Sequence, residues 1–475
     1  MNKRFEALLE VSGPLILLIV LLGLLIVLIL SARPCDAETV YYFGSDGNDA
    51  ASGLTIVERW KTLKKASEYQ FPPDSMALFQ ADDFWRGEQL IGQSGVKYGR
   101  FGEGRNPVFM GSYNKNQPGD WQNYDGNIWV SSINYNDLGS ELLVNPSFDS
   151  VVSPWYLWVN TVNAEASGIR TTVPGEYQSA DGGFKIDCVD SGVILSDIQL
   201  FVAGIDIEAD KYYKFSFYIK STEDFSFSAN PFKLMKKTDP WTKYYQHSTT
   251  QDFDVTDQWQ EFSVIYKSTH TDPDARITFY LGSILPDYST CYIDSVSFKE
   301  IQNVEEVLDQ DIGNLIFNKE EKAGRKELYF QDMDEQGDFY FDPDTWSLYL
   351  YSEGHPANVY TDIECALQQH IIRVINSEDI EIDGIDVKYG GGHGISRVNV
   401  KNFQMRNCKI SWMGGSLQPG LENTRFGNGD ESWNYAENIL VENCIFDQIY
   451  DAGITNQGYF DGLQKNIIYR YCIIG

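Results

Sequence analysis

Near the end of the chain, the apolar and polar positions fall into four lines that can be laid over one another, at residues 379–385, 402–408, 438–444 and 466–472. Apolar and polar residues alternate within each line, the period-two signature of a strand with one buried face. In register, Ile380, Phe403, Ile439 and Ile467 make one apolar column. Ile382, Met405, Val441 and Tyr469 make a second, and Ile385, Cys408, Cys444 and Cys472 a third. The strand core recurs while the connecting loops vary in length, which is a solenoid pattern.

Columns of like residues across unequal loops predict a parallel β-helix, whose successive coils stack about 4.8 Å apart. The column cysteines would then be small buried hydrophobes, and Asn407 over Asn443 would form an amide ladder at a turn. The last coil breaks off at Gly475, so a further segment or a partner is expected to complete the stack.

The rest of the chain divides by pattern. Residues 1–37 hold Lys3 and Arg4 before an uncharged run at 11–32, which predicts an N-terminal transmembrane or signal helix. Basic residues ahead of that run keep the N-terminus inside and direct the remainder of the chain across the membrane. The protein is then membrane-anchored with extracytoplasmic domains, or secreted if the segment is cleaved near Cys35. Residues 38–140 open with a strand at 39–43, a helical stretch from Trp60 to Ser67 and a strand at 76–79. Residues 141–301 carry closely spaced short strands with turn residues between them, a sandwich signature. Residues 302–475 begin with a hairpin around Pro343-Asp344 and run into the coils.

Several of these stretches resemble known families. The lead-in Tyr41-Tyr42-Phe43-Gly44-Ser45, the segment Trp60-Lys61-Thr62-Leu63, the corner Asp82-Asp83-Phe84-Trp85-Arg86-Gly87 and the turn from Tyr98 to Val108 are similar to the opening of extracellular right-handed parallel β-helix proteins of the polysaccharide lyase and glycosidase type. The run from Phe339 to Tyr351 resembles a later segment of the same proteins. In them the helix covers the open end of the first coil. The stretches at 142–149, 212–220, 258–262, 276–282 and 291–298 resemble the jelly-roll carbohydrate-binding modules attached to cellulases and xylanases, with Ser295 where those usually have an acid. The implied fold is all-β: a right-handed parallel β-helix with an inserted β-sandwich (jelly roll) between two parts of one solenoid.

Composition narrows the partners. Hydrophobic residues at 43% and aromatics at 14% suit a folded, strand-rich chain. With 68 acidic and 37 basic residues the formal net charge is −31, which repels nucleic acid and excludes it as a partner. Seven cysteines without CxxC spacing indicate no zinc site, and Cys188 with Cys291 is the pair available for a disulfide.

Sugar rings stack their apolar C–H faces on exposed aromatic rings. Trp155, Tyr156, Trp158, Tyr177, Trp241, Tyr244 and Tyr245 are the candidates for polysaccharide binding, the last three in a polar loop expected to be exposed. Asp149 and Asp294, in the terminal strands of the sandwich, are candidates for a structural Ca²⁺, which prefers oxygen ligands.

Catalytic candidates cluster in the coils. Gly392, Gly415 and Asp451 share one offset, which places His393 about two coils, roughly 9.6 Å, from Asp451. The longest loop carries Arg425, Asn428, Asp430 and Glu431. An inverting glycosidase needs two carboxylates about 6.5–9.5 Å apart, which Asp451 with Asp430 or Glu431 would supply. A uronate lyase instead needs a base such as His393, Lys388 or Tyr450, with a cation or Arg425 on the substrate carboxylate. The third reading is a surface protein that binds polysaccharide without cleaving it.

Overall fold

The computed structural model describes residues 38–475 apart from 134–136, 180, 228–230, 251, 305, 422 and 460–461. The expected membrane or signal helix at 1–37 lies outside the described residues. Among those described, no helix is long and apolar enough to cross a membrane. Regular structure is nearly all strand.

Two parallel sheets run along the molecule, and the chain alternates between them. The first takes strands Val40–Phe43, Ser75–Gln80, Val96–Phe101, Ile372–Asp383, Ile395–Arg406 and Asp430–Glu442, the last pairing with both Ile454–Gln457 and Gln464–Arg470. The second takes Phe84–Arg86, Val108–Met110, Asp386–Gly390, Lys409–Met413, Ile445–Ile449 and Ile473–Ile474. Glu381 pairs with Lys97 and Asp386 with Val108, so the strands after 371 continue directly the stack begun before 111.

The apolar columns are in register. Ile380 pairs with Phe403, Phe403 with Ile439 and Ile439 with Ile467; Ile382, Met405, Val441 and Tyr469 are matched in the same way. Ile385, Cys408 and Cys444 are buried in one core with these columns, and the thiols are free. The backbone bends through left-handed residues that are mostly Asn or Asp, among them Asp379, Asn402, Asn438 and Asn466. These residue types tolerate that region best after glycine. Their side chains form ladders: Asn402 Nδ2 donates to Asp379 Oδ1 (2.8 Å), Asn438 to Asn402 (2.9 Å) and Asn466 to Asn438 (2.9 Å). The expected Asn443–Asn407 bond is 2.7 Å, and Asn407 continues that ladder to Asp383.

The structure corrects one offset expected from sequence. Asp451 N–H bonds Gly427 O, and Gly394 N–H bonds Asn428 O, so Gly427 rather than Gly415 is the equivalent of Gly392. The stretch from Gly414 to Gly427 is an excursion closed by a two-stranded hairpin, Ser416–Leu417 with Arg425–Phe426. Its length hid the register.

Helix Leu63–Glu68 is capped by Thr62, whose hydroxyl accepts from Lys65 N–H at 2.9 Å. Leu63 and Ala66 share a buried core with Trp60, Tyr41 and Phe43.

The segment from 138 to 301 builds two main antiparallel sheets, with Phe225–Phe227 and Phe253–Val255 as a separate antiparallel pair. The larger contains Glu165–Thr171, Gly183–Asp190, Ser289–Ile301, Tyr212–Ser221, Gln260–Ser268 and Tyr245–Ser248, with Leu138–Glu141 at its side. The smaller contains Tyr156–Val159, Ile198–Ile207, Asp272–Tyr280 and Phe232–Met235. Both contribute to one hydrophobic core, including Phe184, Phe215, Phe217, Phe232, Ile277 and Phe279. Cys188 and Cys291 lie buried on adjacent strands and are not bonded to each other.

Candidate functional site

The smaller antiparallel sheet has one face in the core and one turned outward, and its sequence sets which is which. In strand Ile198–Ile207, Ile198, Leu200 and Val202 are buried, so Gln199, Phe201 and Ala203 point outward. In Asp272–Tyr280, Ile277 and Phe279 enter the core, leaving Arg276, Thr278 and Tyr280 on the outer side. The register aligns these positions. Tyr156, Phe201, Thr278 and Lys233 form one row across all four strands, and Trp158, Gln199 and Tyr280 form the next.

Tyr156, Trp158 and Trp241 are 56%, 40% and 46% exposed, too open for core residues and suitably placed for stacking on a ligand. Tyr156 packs against Phe201 with ring centroids 5.5 Å apart. The Arg276 guanidinium lies 3.9 Å from the Phe201 ring centroid and 5.0 Å from that of Trp241. It donates to Gln199 Oε1 at 2.6 Å and to Thr278 Oγ1 at 2.7 Å. The result is a strip of aromatic rings with amide, hydroxyl and cationic groups between them, a surface suited to flat, hydroxyl-rich ligands.

Of the aromatic residues singled out from sequence, Tyr156, Trp158 and Trp241 are here, and the others are not. Trp155 is a core residue beside Phe148, its indole N–H bonded to Asn145 O at 3.0 Å. Tyr244 and Tyr245 are buried rather than exposed. Tyr244 donates to Asp272 at 2.7 Å, and burial together with that bond pushes its hydroxyl up to about 12. Tyr245 donates to Phe232 O at 3.2 Å. Tyr177 is half-buried in the loop on the side of the larger sheet. Phe201, Tyr280, Gln199 and Arg276 were not singled out from sequence, although strict alternation in their strands marks them as outward positions.

Asp149 and Asp294, the calcium candidates, sit in unlike surroundings. Asp294 is fully buried, and its oxygens accept three backbone N–H groups, from Gln178 (2.7 Å), Ser179 (2.6 Å) and Ser295 (2.6 Å). Asp149 is exposed, and the carbonyl oxygens of Phe148, Asp149 and Asp181 accept from the Arg170 guanidinium, a cation already in place. Among the described residues no group of three or more His, Cys, Asp or Glu is arranged to hold a metal ion.

The catalytic candidates fall into several groups. His393 and Glu431 do meet: His393 Nε2 is 2.7 Å from Glu431 Oε2, and both are buried. Asn428 N–H donates to His393 Nδ1 at 2.8 Å, which assigns the ring proton to Nε2. Glu431 Oε1 accepts from Asn428 (3.2 Å) and Gln457 (2.6 Å). Burial drives the Glu431 carboxyl up, but His393 and Gln457 outweigh it and hold the group below the usual glutamate value. His370, one coil earlier and not anticipated from sequence, stacks on His393 at 4.7 Å, and Phe426 covers both rings.

Asp430 points the other way, into the interior, and pairs with Arg397 at 2.5 Å. Burial raises its carboxyl, against the pull of Arg397. It therefore cannot partner Asp451, which is exposed at the corner. Lys388 is on the second parallel sheet, bonded to Glu320 (3.1 Å) and Tyr389 (3.0 Å). Arg425 stacks on exposed Tyr450 at 4.5 Å and bonds Gly415 O at 2.7 Å, closing the hairpin.

Comparison with known proteins bears on the sandwich. Residues 140–290 match the family model described as a carbohydrate binding domain, which supports polysaccharide binding by this segment. No curated protein matches the chain. Among solved structures, one described as "CBM4 structure and function" is 25% identical with a TM-score of 0.24, covering 36% of this chain and 99% of its own. The N-terminal cellulose-binding domain of β-1,4-glucanase C from Cellulomonas fimi is 14% identical with a TM-score of 0.25, covering 35% and 99%. A chain described as a glycoside hydrolase is 12% identical with a TM-score of 0.34, covering 86% of this chain and 66% of its own. These TM-scores are too low to establish a shared fold.

Proposed function

We propose that this protein is an exported polysaccharide-binding protein whose binding face is the outer side of the four-stranded sheet. The observation that carries the reading is the row of Tyr156, Phe201 and Thr278 beside Trp158, Gln199 and Tyr280, within a segment that matches a carbohydrate-binding family. In this reading residues 141–301 are a jelly-roll module inserted into a right-handed parallel β-helix made of 38–140 and 302–475, and residues 1–37 anchor or export the chain. The paired columns and the alternation between two parallel sheets support the β-helix.

Cleavage of the bound chain, by hydrolysis or β-elimination, is the other reading. To take part in it, His393 or Glu431 would have to leave the clasp in which both ring nitrogens and both carboxylate oxygens are engaged. That arrangement favours binding.

Affinity electrophoresis of the full chain through gels containing soluble polysaccharides tests the proposal. Retardation by at least one polymer is expected, with Trp158→Ala and Tyr156→Ala each weakening it about tenfold or more. Unchanged mobility in every gel, or full retardation of both variants, rules the face out.

A further inference from the structure

Resting on that binding face, we infer that its ligand is an acidic polysaccharide, a chain bearing uronate carboxylates or sulfate esters. The whole protein has a formal net charge of −31, yet one end of this face is cationic. Lys233 lies opposite Thr278, Met235 lies opposite Arg276, and Lys243 bridges to Met235, so three basic residues gather at one edge of the sheet.

Arg276 is only 5% exposed, and its hydrogen-bond acceptors are the neutral oxygens of Gln199 and Thr278. No carboxylate among the described residues forms an ion pair with it. The nearby acids are engaged elsewhere: Asp274 pairs with Lys237 at 2.9 Å, and Asp272 accepts from Tyr244 at 2.7 Å. Burial presses the Arg276 guanidinium below its ordinary value. Burial, and then the charge of Lys243, do the same to the Lys233 ammonium.

A guanidinium removed from water without an acid beside it is costly to maintain, and an anion arriving from solution relieves that cost. Flanked by Phe201 and Trp241, the Arg276 guanidinium can bond a carboxylate or sulfate while the rings stack on the sugar that bears it. A neutral glycan would use the rings and leave that charge unanswered. The acidic remainder of the surface would repel the same polymer elsewhere and confine it to this edge.

The test is binding of the full chain to alginate and polygalacturonate for carboxylates, and to carrageenan for sulfate. Hydroxyethyl cellulose and mixed-linkage β-glucan serve as neutral polymers. At least one acidic polymer is expected to bind about tenfold more tightly than either neutral one at low salt, and to weaken steeply as salt rises. The exposed Lys243→Gln, which removes charge without opening the core, should lower that affinity about fivefold, and Arg276→Gln further. A preference for the carboxylate or the sulfate polymers identifies which anion is read. Equal or tighter binding of neutral polymers, or an unaltered acidic affinity in Lys243→Gln, overturns the inference while leaving the binding face intact. Failure to bind any polymer removes both.

Discussion

Asn402 offers a direct measure of what holds the coils in register. Its φ of 54° is left-handed, it donates to Asp379 at 2.8 Å, and it accepts from Asn438 at 2.9 Å. Asn402→Ala removes two partly solvated hydrogen bonds, each worth about 0.5 kcal/mol at the low end of the usual range. It also places a Cβ without a compensating side chain in the left-handed region, costing about 1 kcal/mol more. The sum is about 2 kcal/mol, equivalent to roughly 30-fold in a local opening constant. Asn402→Gly loses the same bonds but not the steric term, and should cost only about 1 kcal/mol. Hydrogen–deuterium exchange of peptides within 395–442 reads this opening directly. If glycine and alanine accelerate exchange equally, the left-handed backbone is not what asparagine is there to satisfy. If neither does, the ladder contributes nothing.

Three further outcomes are expected. The His370 imidazole is lowered to about 3 by burial, then by His393 and Arg373. Below pH 6.5 the unfolded chain takes up a proton that the folded one refuses, so stability falls with acidification, by about 2 kcal/mol at pH 5. His370→Asn should flatten that slope in urea titrations run at several pH values. Removing one partner of the buried Arg397–Asp430 pair strands the other: Asp430→Leu alone should cost about 3–5 kcal/mol, while the double change with Arg397→Leu should recover most of it. Calorimetry of the single and double variants decides this, and equal losses would refute it. Asp294→Ala orphans three buried amides and should lower stability by about 3 kcal/mol or more, whereas EDTA or added calcium should leave the wild-type melting temperature unmoved. A calcium-dependent shift would show that Arg170 does not fill the cation's place.

Features that depend on near neighbours along the chain were legible in the order of residues. Alternation gave the strands, its repetition gave the columns from Ile380 to Ile467, and Asn407 over Asn443 gave one corner ladder, because a period-two pattern with one buried face leaves little freedom of register. Tyr156 and Trp158 were named from sequence only as aromatic residues, and the strand is what turns both outward beside half-buried Leu157. Relations set by chain length and by distant segments were not legible in this way. The excursion from Gly414 to Gly427 shifted the offset by which Asp451 and His393 were compared. Asp430 and Glu431 are adjacent in sequence, yet a strand sends one inward to Arg397 and the other outward to His393. Whether Tyr244 and Tyr245 face water, and whether Lys233, Lys243 and Arg276 share one edge, was decided only when strands far apart in sequence paired. Burial and charge at a site are sums over neighbours in space, and the folded chain alone supplies those neighbours.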